Sequence, residues 1–513
     1  MVYRGKPSTA CDRCRGRRLK CDRARPSCSQ CIRAQVDCPG YRNTAELSFR
    51  DQSEEVIRKA KAKHRARKSV VVAEPNSRQP VRKGIALDVA LSSPPEELAK
   101  GYFFTHYGGS HMPYLLDLTR NQDNAPINAA LTAAGLAALS NLRMSPQMML
   151  NARRHYTLAL SRTRHALRDP ALCRKDGTLA AVVLLGMFEI ITCSDGSFAE
   201  RWMKHMDGAA QLIELRGLRQ VEGAAGLHLF TQLRAQNVLS RIYQERYCSP
   251  ILAQLTQEAP KYRDPNYRTI DRLGILVIRL SSLCAAIKDG TINRPTEIIR
   301  LSLSLDAEFI STLLSIPPTW VYSTIEVPQF EGERRMQSVW GNRFHIYGNL
   351  TISSAWNNYR SARLVIHELI ITAAKSLRNS SYTNSRIEQE SLVIQSERTC
   401  HQIVEDICAS VPFHLGATAE NVGCGGNAGA PTGAGGITVV WPLLIAANSG
   451  FASPALRKWV MDCLDKIGHS LGINQALAVA QLLRDGIRTR SLICPDSSGD
   501  LHQCYGVVNE REK

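Results

Sequence analysis

The chain of 513 residues lacks a hydrophobic run long enough to cross a membrane. Its longest nearly apolar runs are Leu179 to Phe188 and Val439 to Ala447, whereas a spanning helix needs about 20 apolar residues. Residues 1–10 are polar and lack the apolar stretch of about 7–15 residues that a secretory signal contains. We therefore expect an intracellular protein with no membrane partner, in which the 16 cysteines stay reduced.

Motifs typical of enzymes are also absent. His367 begins a His-Glu-Leu-Ile-Ile segment, which lacks the second histidine of the HExxH motif. The Gly-Gly-Ser-His-Met segment that begins at Gly108 lacks the closing glycine of a GxSxG turn. The glycines from Gly423 to Gly429 do not have the spacing of a dinucleotide-binding loop. The sequence therefore predicts no catalytic residues and no enzyme activity.

Acidic residues are scarce near the start of the chain. Residues 1–83 contain 22 Lys and Arg against 8 Asp and Glu, a balance of +14. The other 430 residues contain 42 and 38, a balance of +4. Such a local excess of positive charge predicts an anionic partner, for which nucleic acid is the main candidate.

Cysteine, in contrast, is concentrated in one short segment. Six cysteines fall within 28 residues with the spacing C-x2-C-x6-C-x6-C-x2-C-x6-C, namely Cys11, Cys14, Cys21, Cys28, Cys31 and Cys38. In each half, a C-x2-C turn directs two thiolates at one tetrahedral zinc ion. The third cysteine follows about two helical turns later, so we expect a short helix to carry it back to the ion. Two zinc ions need eight ligand positions, so six thiolates suffice if two of them bridge both ions.

The segment from Cys11 to Cys38 resembles the fungal binuclear zinc cluster (Zn2Cys6) transcription factors. It matches that family at all six cysteines, at the loop containing Pro26, and at the basic run between the second and third cysteines. The resemblance implies a structural cofactor of two Zn²⁺ ions, with Cys11 and Cys28 as the bridging ligands. It implies a small domain over residues 1–43 with two short helices. The alternatives, a disulfide knot or a chance cluster, are disfavoured by the reducing compartment and by the internal repeat.

The two halves of this cluster differ in charge. The half from Cys11 to Cys21 has a balance of +4, whereas the half from Cys28 to Cys38 has a balance of zero. The first half is therefore predicted to face the DNA phosphates, and the second half to support it.

The resemblance also implies that the cluster binds double-stranded DNA and reads a CGG-like triplet. The position of the family's base-reading lysine is occupied here by Arg18, and the adjacent position is occupied by Arg17. Arginine retains the donors that bind guanine O6 and N7. The positions that the family uses for phosphate contacts are Arg15, Lys20 and Arg23, and such contacts position a protein without specifying sequence. The alternative is that these side chains only neutralise the cluster.

Residues 44–95 are predicted to form a basic helix and a flexible linker. Asp51 and Glu54 are typical of a helix start, and Gln52 to Lys68 is rich in helix formers. Apolar residues in this segment are too sparse for a coiled coil, so the segment does not support dimerisation. A homodimer formed through another part of the chain stays open as an alternative. Seven basic residues form a candidate nuclear import signal or phosphate-tracking surface: Arg58, Lys59, Lys61, Lys63, Arg65, Arg67 and Lys68. They favour localisation in the nucleus.

Residues 96–513 are predicted to form one large, all-α domain, so the fold class is mainly α. Eight segments have helical spacing: Ala129–Leu142, Arg153–Leu167, Leu179–Ile191, Arg201–Arg216, Leu273–Ile287, Ala355–Ser376, Ser391–Ala409 and Arg457–Leu471. The tract from Gly416 to Gly436, with eight glycines in 21 residues, is predicted to be a disordered loop. Trp202 and Trp441 are predicted to be core anchors, and His205 to be a satisfied polar residue rather than a metal ligand.

Short pieces of this domain resemble the regulatory domain that follows the cluster in the same family. They run from Trp202 to Gly217, from Trp441 to Ala447 and from Gly472 to Ala476, in that order. Together with the cluster they predict a sequence-specific transcription factor for RNA polymerase II genes, with coregulators as further partners. One alternative is a protein- or RNA-interaction module, although residues 1–40 contain Tyr3 as their one aromatic residue for base stacking. Another is an enzyme fused to a DNA-binding head.

Overall fold

The computed structural model describes residues 10–41, 94–109, 111–120, 125–193, 198–327, 338–377, 383–418 and 432–486. The chain divides into two compact units, Met1–Ala90 and Leu91–Lys513. The basic helix and the nuclear import candidate predicted between 44 and 93 lie outside the described residues. The first described helix of the second unit begins at Pro95, the last residue of the predicted linker.

The first unit contains two five-residue helices, α1 (Asp12–Gly16) and α2 (Ser29–Arg33). The expectation that a helix carries the third cysteine back to the metal is wrong, because each helix ends well before that cysteine. Seven more helical residues would place the third cysteine about 10 Å along the axis, too far for a shared ion. Instead, the residue after each helix cap has a left-handed backbone, Arg18 with φ 55° and Gln35 with φ 51°.

Hydrogen bonds close both helices in the same way. The N–H of Leu19 donates to the carbonyl of Cys14 at 2.8 Å, and the N–H of Val36 donates to the carbonyl of Cys31 at 3.2 Å. These 6→1 bonds, which enclose a left-handed residue, reverse the chain as in a Schellman C-cap. The chain then returns to the metal-binding side without further helix.

The second unit is predominantly helical, as predicted. Its helices are α3 (Pro95–Phe103), α4 (Tyr114–Arg120), α5 (Ala125–Arg143), α6 (Pro146–Arg168), α7 (Asp176–Thr192), α8 (Phe198–Arg216), α9 (Arg219–Glu222), α10 (Ala224–Gln244), α11 (Pro250–Glu258), α12 (Thr269–Lys288), α13 (Pro295–Leu313), α14 (Leu350–Leu377), α15 (Thr383–His414), α16 (Gly433–Asn448), α17 (Pro454–Leu471) and α18 (Asn474–Arg484). All eight segments with helical spacing fall within these helices, which confirms the assignment.

The core is centred on helices that are apolar around most of their circumference. Helix α5 packs against α6 and α7, and α14 packs against α13 and α15. In α5 and α7 most residues are buried, as expected for helices surrounded by others. In contrast to the expectation from uninterrupted apolar runs, one helix within the described residues, α5, is long and apolar enough to cross a membrane, but 72% of its apolar window is buried inside the unit. Its length is therefore accounted for by packing in the core.

Outer helices are amphipathic and are capped by their own sequence. The hydroxyl of Ser145 accepts from the N–H of Met148 at 3.4 Å, which caps α6. The hydroxyl of Ser453 accepts from the N–H of Leu456 at 3.1 Å and caps α17. At the other end of α17, Gly472 adopts φ 70°, a left-handed conformation that glycine tolerates without strain.

A small hairpin-like sheet departs from the all-α prediction. Strands β1 (Ser323–Glu326) and β2 (Arg343–Ile346) pair antiparallel, with Ser323 opposite Ile346. Phe344 is fully buried and packs with Val339 and Ala417 in a cluster separate from the main core. Four-residue strands offer too few positions for an alternation to be recognised in the sequence.

The Gly-rich tract differs from its prediction at its C-terminal end. Helix α16 begins at Gly433, whereas the tract was expected to be a loop as far as Gly436. The glycines are required there by close packing. A Cβ atom at Gly433 would lie 2.2 Å from the ring of Tyr107, and one at Gly435 would lie 2.1 Å from the carbonyl oxygen of His414. Residues 419–431 of the tract lie outside the described residues.

The single residues predicted in this unit have simple roles. Trp441 packs against the main core. Trp202 lies in α8, but its side chain lies outside the description. His205 Nε2 lies 3.5 Å from Glu189 Oε1, which agrees with a satisfied polar residue rather than a metal ligand. His367 Nε2 lies 3.4 Å from Asp306 Oδ2, and Arg363 donates to both oxygens of the same carboxylate. This histidine thus belongs to an ion-pair network.

Candidate metal centre and nucleic-acid interface

The six clustered cysteines form two groups of four that share two members. One group is Cys11, Cys14, Cys21 and Cys28, and the other is Cys11, Cys28, Cys31 and Cys38. Within each group all Sγ atoms lie within 4.8 Å of one another. The shared members are Cys11 and Cys28, the two that the sequence resemblance assigned as bridging ligands. Among the described residues, these are the two groups with metal-ligand geometry.

The sulfur spacing fits tetrahedral zinc. Zn–S bonds of about 2.3 Å at tetrahedral angles place neighbouring sulfurs about 3.8 Å apart. The Sγ of Cys11 lies 3.8 Å from that of Cys28 and 3.8 Å from that of Cys31, and the Sγ of Cys14 lies 3.7 Å from that of Cys28. All thirteen cysteines within the described residues are free of disulfides, the six of the cluster among them. The cluster thus holds two structural zinc ions, each with four thiolates and no open position for a substrate.

Backbone N–H groups support the outer thiolates in both halves. Hydrogen bonds from the N–H of Cys28 and of Gly40 lower the pKa of Cys38 to about 7. In the first half the N–H of Cys11 and of Arg23 lower the pKa of Cys21 in the same way. Each of these thiols is therefore prepared to bind metal as a thiolate, the form that coordinates zinc.

The residue two positions after each outer cysteine has a left-handed backbone. Gly40 has φ 79°, and Arg23 has φ 61° at the equivalent place in the first half. This conformation allows the N–H group of the residue to point back at the sulfur. The first half thus adopts without glycine the backbone conformation for which the second half uses Gly40.

Three side chains that join the two halves were not singled out by the sequence analysis. Arg13 Nη1 lies 3.4 Å from the carbonyl oxygen of Gln30 and 3.9 Å from the sulfur of Cys31, so its charge partly offsets the thiolates. The carboxylate of Asp22 accepts from the N–H of Ser29 at 3.1 Å and from its hydroxyl, at the start of α2. These contacts join residues 7 to 18 positions apart, on either side of the Pro26 loop, so no local sequence pattern marks them.

A third contact closes the loop from the other side. The hydroxyl of Tyr41 donates to the carbonyl of Ala24 at 2.7 Å. This bond ties the end of the described segment to the loop between the halves. The cluster is therefore held together by polar contacts as well as by metal, as expected for a unit too small to have an apolar core.

The basic residues of the first half lie on the surface. Arg17, Arg18 and Lys20 are exposed, and none of them forms an ion pair within the described residues. Arg17 and Arg18 follow directly after the C-terminus of α1, where the helix dipole favours positive charge. Arg15 is half-buried and pairs with Asp12, and its Nη1 atom has no hydrogen-bond partner. Arg23 is also exposed.

The second half presents far less charge. Its helix α2 carries Arg33 as its one basic residue, which is exposed. Two apolar side chains, Ile32 and Val36, are also exposed there, with 62% and 44% of their surface accessible. The structure thus keeps the asymmetry predicted from charge: one half is basic and the other is nearly neutral.

Comparison with known proteins agrees with this geometry. Residues 9–47 match the fungal Zn(2)-Cys(6) binuclear cluster domain, and residues 105–272 match the fungal specific transcription factor domain. The chain therefore contains segments that match the cluster domain and part of the helical domain of Zn2Cys6 DNA-binding transcription factors, and neither matching model describes an enzyme.

A curated relative is also named as a transcription factor. The chain is 29% identical over 152 residues to transcription factor dbaG of Emericella nidulans. The match covers 28% of this chain and 33% of the relative. The chain thus spans about a third of the length of the curated relative it matches. No solved structure matches the chain.

Proposed function

We propose that this protein is a sequence-specific transcriptional regulator whose zinc cluster reads a CGG-like triplet in the major groove. The observation that carries the proposal is that Arg17 and Arg18, at the C-terminal end of α1 and beside the cysteine cluster, are exposed and form no ion pair within the part of the chain that the structure describes. Arg17 and Arg18 are the proposed base readers, because arginine donates two hydrogen bonds to guanine O6 and N7. The cluster itself fixes the short helix that presents them.

Phosphate contacts have a separate role in this proposal. Lys20 is exposed four residues after the end of α1, Arg15 lies within α1, and Arg23 lies two residues after Cys21. These residues neutralise phosphates and fix the orientation of the helix without reading bases. Arg15 already pairs with Asp12 through Nη2, so a phosphate contact at this residue would compete with that ion pair.

The family also supports proposals for the cellular role. A transcription factor acts in the nucleus, and the seven basic residues between Arg58 and Lys68 are the proposed import signal. Coregulators are the proposed partners of the helical unit. Dimerisation would set the spacing of two triplets, since modules of this class place half-sites by their dimer geometry.

Substitutions distinguish base reading from phosphate contact. Arg18→Ala is expected to cost about 1–3 kcal/mol on a CGG duplex and to relax the preference at one guanine. Lys20→Ala is expected to weaken binding to every duplex alike and to lower the salt slope by about one. The matched control is Arg33→Ala, which removes an exposed arginine from the second half. Fluorescence anisotropy of the full-length protein on CGG and substituted duplexes, at several salt concentrations, measures all three.

Two results contradict the assignment. If Arg18→Ala and Lys20→Ala lose affinity equally on every duplex, Arg18 does not read a base. If Arg33→Ala relaxes the sequence preference as much as Arg18→Ala does, the second half contacts the bases. Should the zinc-loaded protein show no preference for any duplex, the protein- or RNA-interaction module becomes the better reading.

A further inference from the structure

A large cavity lies inside the helical unit and has no assigned role. Its volume is about 650 Å³, and its walls are formed mainly by helices α7, α10, α12, α14 and α16. A cavity of this volume is in the range of small-molecule sites in proteins, which are typically about 300–1,000 Å³. A pocket of this volume with a mostly apolar wall is a candidate ligand site.

Most of the cavity wall is apolar and adaptable. Met187 from α7, Met206 from α8 and Trp441 from α16 contribute to it. Methionine and tryptophan side chains offer large contact areas to apolar ligands, and methionine adapts its shape to them. The bulk of a ligand in this site would therefore be apolar.

One part of the wall carries a surplus positive charge. Arg234 donates to Asp271 Oδ1 at 2.9 Å, and Arg263 donates to Asp271 Oδ2 at 2.6 Å and Oδ1 at 3.1 Å. All three residues are buried, with exposed fractions of 3% for Arg234, 9% for Arg263 and 0% for Asp271. Among the described residues, Asp271 is the one carboxylate within 4.0 Å of either guanidinium. Two buried cations thus share one anion, and both arginines line the cavity while the aspartate does not.

Another acidic residue at the wall does not balance this charge. Asp264 lines the cavity but is exposed, and its carboxylate accepts from the N–H of Asn266 at 2.8 Å. Burying an unbalanced charge is costly, so a single negative charge on a ligand would stabilise the site. One carboxylate on the ligand would neutralise the surplus of one positive charge. A phosphate dianion would instead give the site a net negative charge.

Unpartnered polar atoms mark a second part of the wall. His111 Nδ1, Ser354 Oγ and Gln475 Nε2 are buried, lie on residues that line the cavity, and have no hydrogen-bond partner within the described residues. Gln475 is 1% exposed. Burial lowers the pKa of His111 to about 4, so its ring is neutral at pH 7. Buried polar atoms are normally hydrogen-bonded, and a ligand with polar substituents would satisfy these three.

We propose that this cavity binds a small, largely apolar carboxylic acid, with its carboxylate against Arg234 and Arg263 and a polar substituent against Gln475. The site lies wholly within the helical unit. It does not depend on DNA binding, so it can fail without affecting the proposed function.

The first test uses two fluorescent probes that differ only in charge, 1-pyrenebutyrate and 1-pyrenebutanol, titrated into the full-length protein. We expect the acid to bind with one-to-one stoichiometry and at least tenfold more tightly than the alcohol. Equal affinity for both probes would overturn the acid site. Absence of binding by either probe, in protein that melts cooperatively, would overturn the cavity as a ligand site.

Variants then locate the bound probe. Arg263→Gln removes the surplus charge and leaves Arg234 paired with Asp271, so it is expected to weaken the acid about tenfold and leave the alcohol unchanged. Arg272→Gln is the matched control, because it removes an exposed arginine from the same helix as Asp271. An equal loss of affinity in both variants would contradict the proposal.

A space-filling variant gives an independent readout. Ala235 lines the cavity and is half-buried, so Ala235→Phe is expected to block both probes. If Arg263→Gln does not fold, this variant and the comparison of the two probes still decide the matter. Unchanged binding of both probes to folded Ala235→Phe would place them elsewhere and overturn the proposal.

Discussion

Removal of a bridging thiolate is expected to damage both zinc sites at once. Cys28 belongs to both groups of four cysteines, whereas Cys38 belongs to one. Cys28→Ala would leave each zinc ion with three thiolates. Cys38→Ala would leave one complete four-thiolate site, made of Cys11, Cys14, Cys21 and Cys28. The two substitutions remove the same chemical group and so form a matched pair.

The magnitude follows from the coupling of metal binding to folding. Structural zinc contributes about 10–16 kcal/mol of apparent binding free energy in small zinc-dependent domains, and this energy is also the folding energy. The cluster has no apolar core to fall back on, because its buried residues are the cysteines themselves. Weakening both sites is therefore expected to unfold residues 10–41, whereas weakening one is expected to loosen the half that contains it.

The assay is the zinc content per chain after exposure to a chelator, together with DNA affinity. We expect about two zinc ions in the unsubstituted protein, about one in Cys38→Ala, and fewer than one in Cys28→Ala. Cys173→Ala, which removes a buried cysteine of the helical unit, controls for the loss of a thiol elsewhere. Retention of two zinc ions by Cys28→Ala, or equal zinc content in Cys28→Ala and Cys38→Ala, would refute the bridged cluster.

Further predictions concern the stability of the helical unit. Gly435→Ala is expected to destabilise it by about 1–3 kcal/mol, because the added Cβ would lie 2.1 Å from the carbonyl oxygen of His414. Gly208→Ala, at a helical position with nothing within 4 Å, is expected to stabilise it by about 0.5–1 kcal/mol, and denaturant unfolding checks both. Burial raises the pKa of Glu368 to about 7 from 4.5, so the folded state favours the protonated carboxyl and stability is lost as pH rises through about 7. Glu368→Gln is therefore expected to raise Tm at pH 8 and to leave it unchanged at pH 4, and an equal shift at both pH values would contradict this origin.

The zinc ligands and most long helices could be predicted from the sequence, for different reasons. The cysteine spacing fixes the ligand count, so Cys11 to Cys38 were identified without any knowledge of the fold. The eight helical segments carry a periodicity of about 3.6 residues over ten or more positions. In both cases the signal is local and repeats.

Features that depend on tertiary contacts could not be predicted. The requirement for glycine at position 433 comes from the ring of Tyr107, which is more than 300 residues away in sequence. The path to Cys21 depends on the left-handed backbone of Arg18, a conformation that non-glycine residues seldom adopt. The buried triad of Arg234, Arg263 and Asp271 joins separate elements, and nothing in the local sequence marks these residues as partners.

The central claim is that the zinc cluster reads a specific DNA triplet. Selection from a pool of random duplexes, using the zinc-loaded full-length protein, tests it most directly. The account predicts enrichment of a CGG-like triplet that is lost when zinc is removed. Two triplets at a fixed spacing would in addition define a dimer and its geometry. Enrichment of no sequence by zinc-loaded protein, or of a sequence without adjacent guanines, would contradict the proposed reading by Arg17 and Arg18.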